Sequence, residues 1–219
     1  EYRVGMDAHT YKFEAGGAAV LGSIQPQAIV QDDDGSLPLD ALERARKIDD
    51  MHFARTRLLA LENTWHGRVL PQDYVVAASR WARAHGLGMH LDGARLFNAA
   101  VASGCSAREL AAPFDTVSVC LSKGLGAPAG SVLLGSRVLI DAARRWRKML
   151  GGGMRQAGVL AAAGLHALDH HRARLVQDHA RAAQLAAGLA DIDGIRVTAH
   201  HTNMVFIEVA RERLQTLAA

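Results

Sequence analysis

Residues 57–64 read RLLALENT, residues 87–95 read LGMHLDGAR and residues 117–126 read VSVCLSKGLG. Each opens on a short apolar run and closes on polar residues and turn formers, the signature of a strand feeding a loop. The runs Arg57 to Leu61 and Val117 to Leu121 are nearly all apolar, which predicts strands covered on both faces in the centre of a sheet. Glu62, Asp92 and Lys123, which end or follow the three runs, stand 30 and 31 residues apart. That interval fits one strand–helix–strand unit of about thirty residues, so the strands should be parallel and their ends should share one edge. Ligands of an open parallel sheet bind beyond the carboxyl ends of its strands. Glu62-Asn63-Thr64, Asp92-Gly93-Ala94-Arg95 and Ser122-Lys123-Gly124 are therefore the segments from which a site would be built.

Outward from this centre, apolar runs alternate with helix-period segments. Gln27 to Val30 precedes a helix over Asp40 to Lys47, and helices are predicted over Asp73 to His85 and Ala94 to Ser103. This alternation defines an α/β fold with a mainly parallel sheet between helices. Beyond Gly135 the pattern turns helical, first Arg137 to Leu150 and then, after Gly151-Gly152-Gly153, an Ala-rich stretch from Met154 to Leu189. Strand patterns return at Ile195 to Thr198 and Met204 to Val209. Two units are expected: residues 1–190 as a large domain, and residues 191–219 as the opening of a small α+β C-terminal domain. The chain starts at Glu1 without Met and stops at Leu217-Ala218-Ala219 just past a strand-like run. It is expected to be a piece of a longer chain whose large domain begins before Glu1.

With 219 residues, 49% of them hydrophobic and 21% charged, the chain can bury one sizeable core. The net charge of +3 comes from arginines interleaved with acids, so a nucleic-acid partner is not expected. No apolar run approaches the roughly 20 residues of a membrane span, and a cytoplasmic location is the expectation. Cys105 and Cys120 are too few for a disulfide framework and read as small core residues in a reducing compartment. His166 and His170 are spaced i, i+4, with His171 and His179 following, yet no acid or cysteine completes a shell; an exposed helical face and no metal are expected. Gly124-x-Gly126 followed by Gly130 lacks the spacing of a nucleotide loop.

An acid and a lysine at one sheet edge suit pyridoxal 5'-phosphate, which needs a Schiff-base amine and a carboxylate facing its pyridine nitrogen. Asp92 and Lys123 are the candidates. Lys123 should be partly buried beside cations such as Arg95, which would favour its neutral form. Gly124 and Gly126 would leave room for the ring, and Arg95 can offer its planar fork to a carboxylate. Asp92 also suits the N-cap of the helix from Ala94, and Glu62 suits a hydrogen bond to its loop.

Leu61-Glu62-Asn63-Thr64, His90 to Arg95 (HLDGAR) and Leu121 to Pro128 (LSKGLGAP) closely resemble the threonine aldolases, of low-specificity L-threonine or L-allo-threonine type, within the β-eliminating lyase superfamily. The likeness extends over His9 to Gly17 (HTYKFEAGG), Arg145 to Arg155 (RWRKMLGGGMR) and Thr202-Asn203-Met204, nearly the whole chain. The resemblance implies the aspartate-aminotransferase-like fold (fold type I) and a homotetramer with sites at dimer seams. It implies that His9 stacks on the cofactor ring, Asp92 pairs with the pyridine nitrogen and Arg95 holds the ring oxygen or the substrate carboxylate. Lys123 forms the Schiff base, while Lys148 and Arg155 lie near the cofactor phosphate, reached across a subunit contact. The reaction it implies is cleavage of a β-hydroxy-α-amino acid to glycine and an aldehyde.

The sequence departs from that pattern after Glu-Asn-Thr, where many members carry a histidine that contacts the substrate hydroxyl. Here Trp65 stands in that place and His66 comes next; either His66 takes over or the hydroxyl proton is handled differently. The expected phosphate-cup loop would precede Glu1, and the arginine that clamps the substrate carboxylate would follow Ala219. Two other readings stand beside the aldolase: a β-eliminating lyase of the tryptophanase or tyrosine phenol-lyase kind, and a catalytically incomplete piece that acts only as an oligomerising or binding module. Trp146, Met149 and Met154 would pack at a domain or subunit seam.

Overall fold

The computed structural model describes residues 1–211. Its main sheet runs β2 (Pro26–Ile29), β1 (Tyr2–Gly5), β3 (Leu58–Glu62), β4 (Gly88–Asp92), β5 (Thr116–Cys120) and β6 (Ser131–Gly135) in spatial order. The first five strands are parallel and β6 pairs antiparallel with β5. The helices are α1 (His9–Lys12), α2 (Gly17–Gly22), α3 (Leu39–Arg44), α4 (Gln72–Ala84), α5 (Leu96–Ser103), α6 (Ala107–Ala111), α7 (Arg137–Met149), α8 (Gly158–His170) and α9 (Leu175–Ala190). A separate antiparallel pair, β7 (Ile195–His201) and β8 (Met204–Val209), lies against α9.

Strand alternation sorts the core. Leu59, Leu61, Met89, Leu91, Val117 and Val119 point to one face, where Leu42 of α3, Leu96 and Ala99 of α5 and Leu110 of α6 join them, together with α4. Helix α4 presents Val75, Ala78 and Ala82 as its buried stripe, spaced i, i+3, i+7. On the other face Tyr2, Val4 and Ala60 pack with Ala8, Ala18 and Leu58.

Strand β3 is interior and buried at Leu59, Ala60 and Leu61. Strand β5 is interior too but not covered on both faces: Val117 and Val119 are buried, while Thr116, Ser118 and Cys120 are half-buried. The two cysteines are half-buried rather than core residues, and both are free thiols. The Ala-rich stretch is not one helix. It breaks at His171, where a short 3-10 turn over Arg172–Arg174 redirects the chain between α8 and α9. Trp146, Met149 and Met154 are exposed, with no seam packed on them among the described residues.

Strand β1 owes its place to a buried arginine. The guanidinium of Arg3 donates to the carbonyls of Leu42 (2.7 Å) and Ala45 (2.6 Å) and to Oε1 of Gln27 (2.9 Å). A cation meeting the last carbonyls of α3 satisfies acceptors that a helix end leaves open. Helix α9 closes at Ala190; the 212–219 part of the expected C-terminal unit lies outside the described residues.

Candidate active site

The strand ends are tied to one another. In the parallel ladder Glu62 lies opposite Asp92, and Asp92 opposite Ser118, so these side chains share one face. The amide of Asn63 donates to the Asp92 carbonyl (2.9 Å), and that of Gly93 to the Ser118 carbonyl (2.8 Å). Glycine is required at 93, because a Cβ there would stand 2.9 Å from the Ser118 carbonyl oxygen. Asp92 does not cap a helix at Ala94. Its Oδ1 accepts the Ala94 amide (3.0 Å) in a local turn, and α5 starts two residues later, after Arg95. One carboxylate oxygen is thereby fixed while the residue stays half-buried at the edge.

Around this edge the structure gathers more charge than the sequence motifs suggest. Glu62 Oε2 accepts the His9 amide at 2.8 Å, and the His9 ring meets Glu14 through Nδ1 at 2.7 Å. Burial, with the neighbouring Asp92 adding to it, raises the Glu62 carboxyl to about 7 against the pull of the His9 amide. Asp7 is held below the usual carboxylate range by its ion pair with Lys12 at 2.7 Å. Burial lowers the His66 imidazole, whose charged neighbours are Asp7, Lys12, Arg68 and Arg95. The sequence places Glu62 in one of the three edge segments with a hydrogen bond to its loop, and its spacing of 30 residues from Asp92 is the signal for their pairing; it offers none for Asp7.

Trp65 and His66 diverge. The Trp65 amide and carbonyl pair with Arg68 in a tight turn (2.9 and 2.8 Å), and its ring lies so close to Gly35 that a Cβ there would stand 2.9 Å from it. Gly35 has φ +90°, a left-handed conformation that glycine adopts at little cost. The His66 ring stands edge-on to Trp65 (centroids 4.5 Å) and to Phe206 of β8 (6.1 Å). The Thr202 hydroxyl donates to the Gly67 carbonyl at 2.8 Å, which ties the β7–β8 turn to the same loop.

Lys123 sits on a loop built by close packing. Amides of Gly126 and Ala127 donate to the carbonyls of Lys123 and Leu121 (both 2.9 Å), and Nδ1 of His171 reaches the Leu125 carbonyl at 2.6 Å. Leu125 is buried with Leu121, Ala127, Ala167 and Leu175. A Cβ on Gly124 would meet Leu175 Cδ2 at 2.8 Å, and Gly126 has φ +72°, so packing and backbone both favour glycine here. Lys123 itself is exposed, not partly buried. The loop buries Leu125 and Ala127 and leaves the lysine on its outer side. The expected helical face of histidines divides likewise: His166 and His170 are exposed, but His171 anchors this loop and His179 contacts Asn98 Nδ2 (3.1 Å).

Among the described residues, Nε of Arg95 is buried with no protein acceptor. A buried guanidinium nitrogen left open beside Asp92 and Glu62 asks for an anionic or carbonyl oxygen from a ligand. With the Asp92 carboxylate, the accessible Lys123 amine and the His9 ring, this donor set fits pyridoxal phosphate. Lys148 and Arg155 are not brought to it within this chain. Both are exposed near the α7–α8 connection, with no hydrogen bond or ion pair to Asp92, Arg95 or Lys123. No group of three or more His, Cys, Asp or Glu among the described residues could hold a metal ion.

A parallel sheet with an acid at one strand end and a lysine on the loop after the next, between layers of helices, is the aspartate-aminotransferase-like class of α/β fold. Solved structures share it: the threonine aldolase of Leishmania major superposes with TM-score 0.79 at 20% identity, covering 99% of this chain and 65% of that one. A putative aromatic amino acid beta-eliminating lyase/threonine aldolase of Exiguobacterium sp. gives 0.78 at 27% identity, covering 94% and 57%. The Beta-eliminating lyase family model matches residues 1–212, and the chain belongs to that family. The low specificity L-threonine aldolase of Escherichia coli (strain K12) is 54% identical over 217 residues, which are 99% of this chain and 65% of that protein. A probable low-specificity L-threonine aldolase 2 of Arabidopsis thaliana is 43% identical, covering 97% and 62%. The chain thus spans from about half to just under two thirds of the length of the curated relatives it matches.

Proposed function

We propose that the full-length protein cleaves L-threonine or L-allo-threonine to glycine and acetaldehyde, with pyridoxal phosphate held on Lys123. The observation that carries this reading is the edge itself: Asp92 at the end of β4 and Lys123 on the loop after the neighbouring β5, with the Arg95 Nε buried and without a protein acceptor among the described residues. Bound pyridoxal phosphate supplies an electron sink for the pair released at the substrate α-carbon. Lys123 would hold the cofactor through its Nζ, and the Asp92 carboxylate would face the pyridine nitrogen and favour its protonated form. Arg95 would take an oxygen of the substrate carboxylate or of the cofactor, and the His9 imidazole would stack on the cofactor. His66 accepts the proton of the β-hydroxyl as the Cα–Cβ bond breaks, a task suited to an imidazole whose neutral form burial favours. Bond choice would follow from how these groups orient the substituents of Cα.

Lys148 and Arg155 are read as cations for the cofactor phosphate of a neighbouring copy. Their exposure here, and that of Val138, Trp146, Met149 and Met154 around them, supports a homo-oligomer, a tetramer by family likeness. Free Cys105 and Cys120 fit a reducing cytoplasm. Residues 191–211 are read as the opening of the small C-terminal domain.

The test is product analysis of the purified full-length protein with added pyridoxal phosphate on L-threonine, L-allo-threonine, tyrosine and tryptophan. Equal amounts of glycine and acetaldehyde from a β-hydroxy substrate are expected. Release of phenol or indole instead would replace the aldolase with a β-eliminating lyase.

A further inference from the structure

We propose that Glu62 is a positioning residue of this site: its carboxylate ties the His9 amide to the strand that carries it, and so sets the His9 ring relative to Asp92. The proposal rests on the reading of this edge as a pyridoxal phosphate site.

Helix α1 is only four residues long, buries none of them, and begins after Ala8, which has no side chain able to cap it. Such a segment has little of its own to hold it. Its first amide, that of His9, is instead taken by a carboxylate 53 positions away in sequence. The His9 ring is held separately, by Glu14. Glu62 stands at the end of β3, a strand paired on both sides and in register with Asp92. The bond from Glu62 therefore transmits the position of the rigid sheet to the backbone of His9, at the start of a helix with little else to hold it.

The groups facing Glu62 are His9 from α1, Asp92 from β4 and Arg95 from the turn after β4. With burial, they place its titration at about 7. An ionised acceptor holds an amide more strongly than a neutral acid does, so the tether on His9 tightens as Glu62 loses its proton.

The experiment compares the full-length cofactor-loaded protein with Glu62→Gln and Glu62→Ala. Visible circular dichroism of the bound cofactor reads how the ring sits, equilibrium titration gives cofactor affinity, and thermal unfolding is recorded for each variant. The parent signal is expected to change across about one pH unit either side of 7, and Glu62→Gln, which keeps an acceptor without the ionisation, to lose that change. Glu62→Ala should alter the dichroism at every pH and weaken cofactor binding roughly tenfold, the order expected when a buried donor loses its acceptor. Dichroism, pH response and affinity equal to the parent in both variants would overturn the proposal, even if thermal stability fell. Absence of any visible cofactor band in the parent would overturn the site reading, and this inference with it.

Discussion

Glu62 and Asp92 are in-register partners on adjacent parallel strands, so two carboxylates occupy neighbouring positions on one face at the same end of the sheet. They are not equivalent. Asp92 fixes an oxygen on the Ala94 amide, whereas Glu62 holds the His9 amide, and burial raises the Glu62 carboxyl to about 7. Two like groups, directly opposite across the ladder, thereby hold different backbone amides.

The raised carboxyl links stability to pH. Folded, Glu62 keeps its proton up to about 7; unfolded, it releases it near 4.5. Between these values the folded state binds more protons, so this group's contribution is greatest below 4.5 and declines until pH reaches about 7. At ~1.36 kcal/mol per unit the decline is roughly 3 kcal/mol. Chemical denaturation at several pH values should show Glu62→Gln with a flatter profile than the parent across that window.

Asp92→Asn keeps an oxygen for the Ala94 amide and removes the charge. Melting temperature should stay within a few degrees of the parent, while kcat/KM for threonine cleavage falls by a factor of about a hundred or more, the scale of losing a preorganised electrostatic partner. Steady-state kinetics beside thermal unfolding check both halves.

His66 and Trp65 can be separated. The Trp65 ring packs on Gly35, while His66 shares the field of Asp7, Lys12 and Arg95. His66→Asn should cost roughly a hundredfold in kcat, and Trp65→Phe should act mainly on stability. Equal kinetic losses would place the hydroxyl's proton acceptor elsewhere.

Gly93→Ala sets a methyl group against the Ser118 carbonyl. Backbone must move to admit it, at a cost of about 1–3 kcal/mol, and Asp92 moves with it. Unfolding free energy and kcat/KM should fall together, unlike the pattern of Asp92→Asn.

The central strands were legible because Leu58 to Glu62, Gly88 to Asp92 and Thr116 to Cys120 are short apolar runs at the spacing of one strand–helix–strand unit. The same spacing made Asp92, Arg95 and Lys123 visible as edge residues. Strand β1 escaped because Arg3 breaks its apolar pattern, and the carbonyls that make a buried arginine tolerable come from α3, some forty residues on. Strand β6 was missed because Ser131–Gly135 is exposed throughout and runs antiparallel, outside the alternation that revealed the others. The Ala-rich helix was overextended because its composition stays helix-forming through His171; the break follows from tertiary bonding of that residue to the Leu125 carbonyl. Burial of Lys123 could not be read from its neighbours in sequence. The loop residues that pack inward, Leu125 and Ala127, come only a few positions after it.

The most direct test of the central claim is borohydride reduction of the full-length protein loaded with pyridoxal phosphate, followed by mapping of the modified peptide by mass spectrometry. One stoichiometric phosphopyridoxyl group is expected on Lys123, absent from Lys123→Ala together with the visible cofactor band. A band that persists in Lys123→Ala, or a label fixed on another lysine, would contradict it.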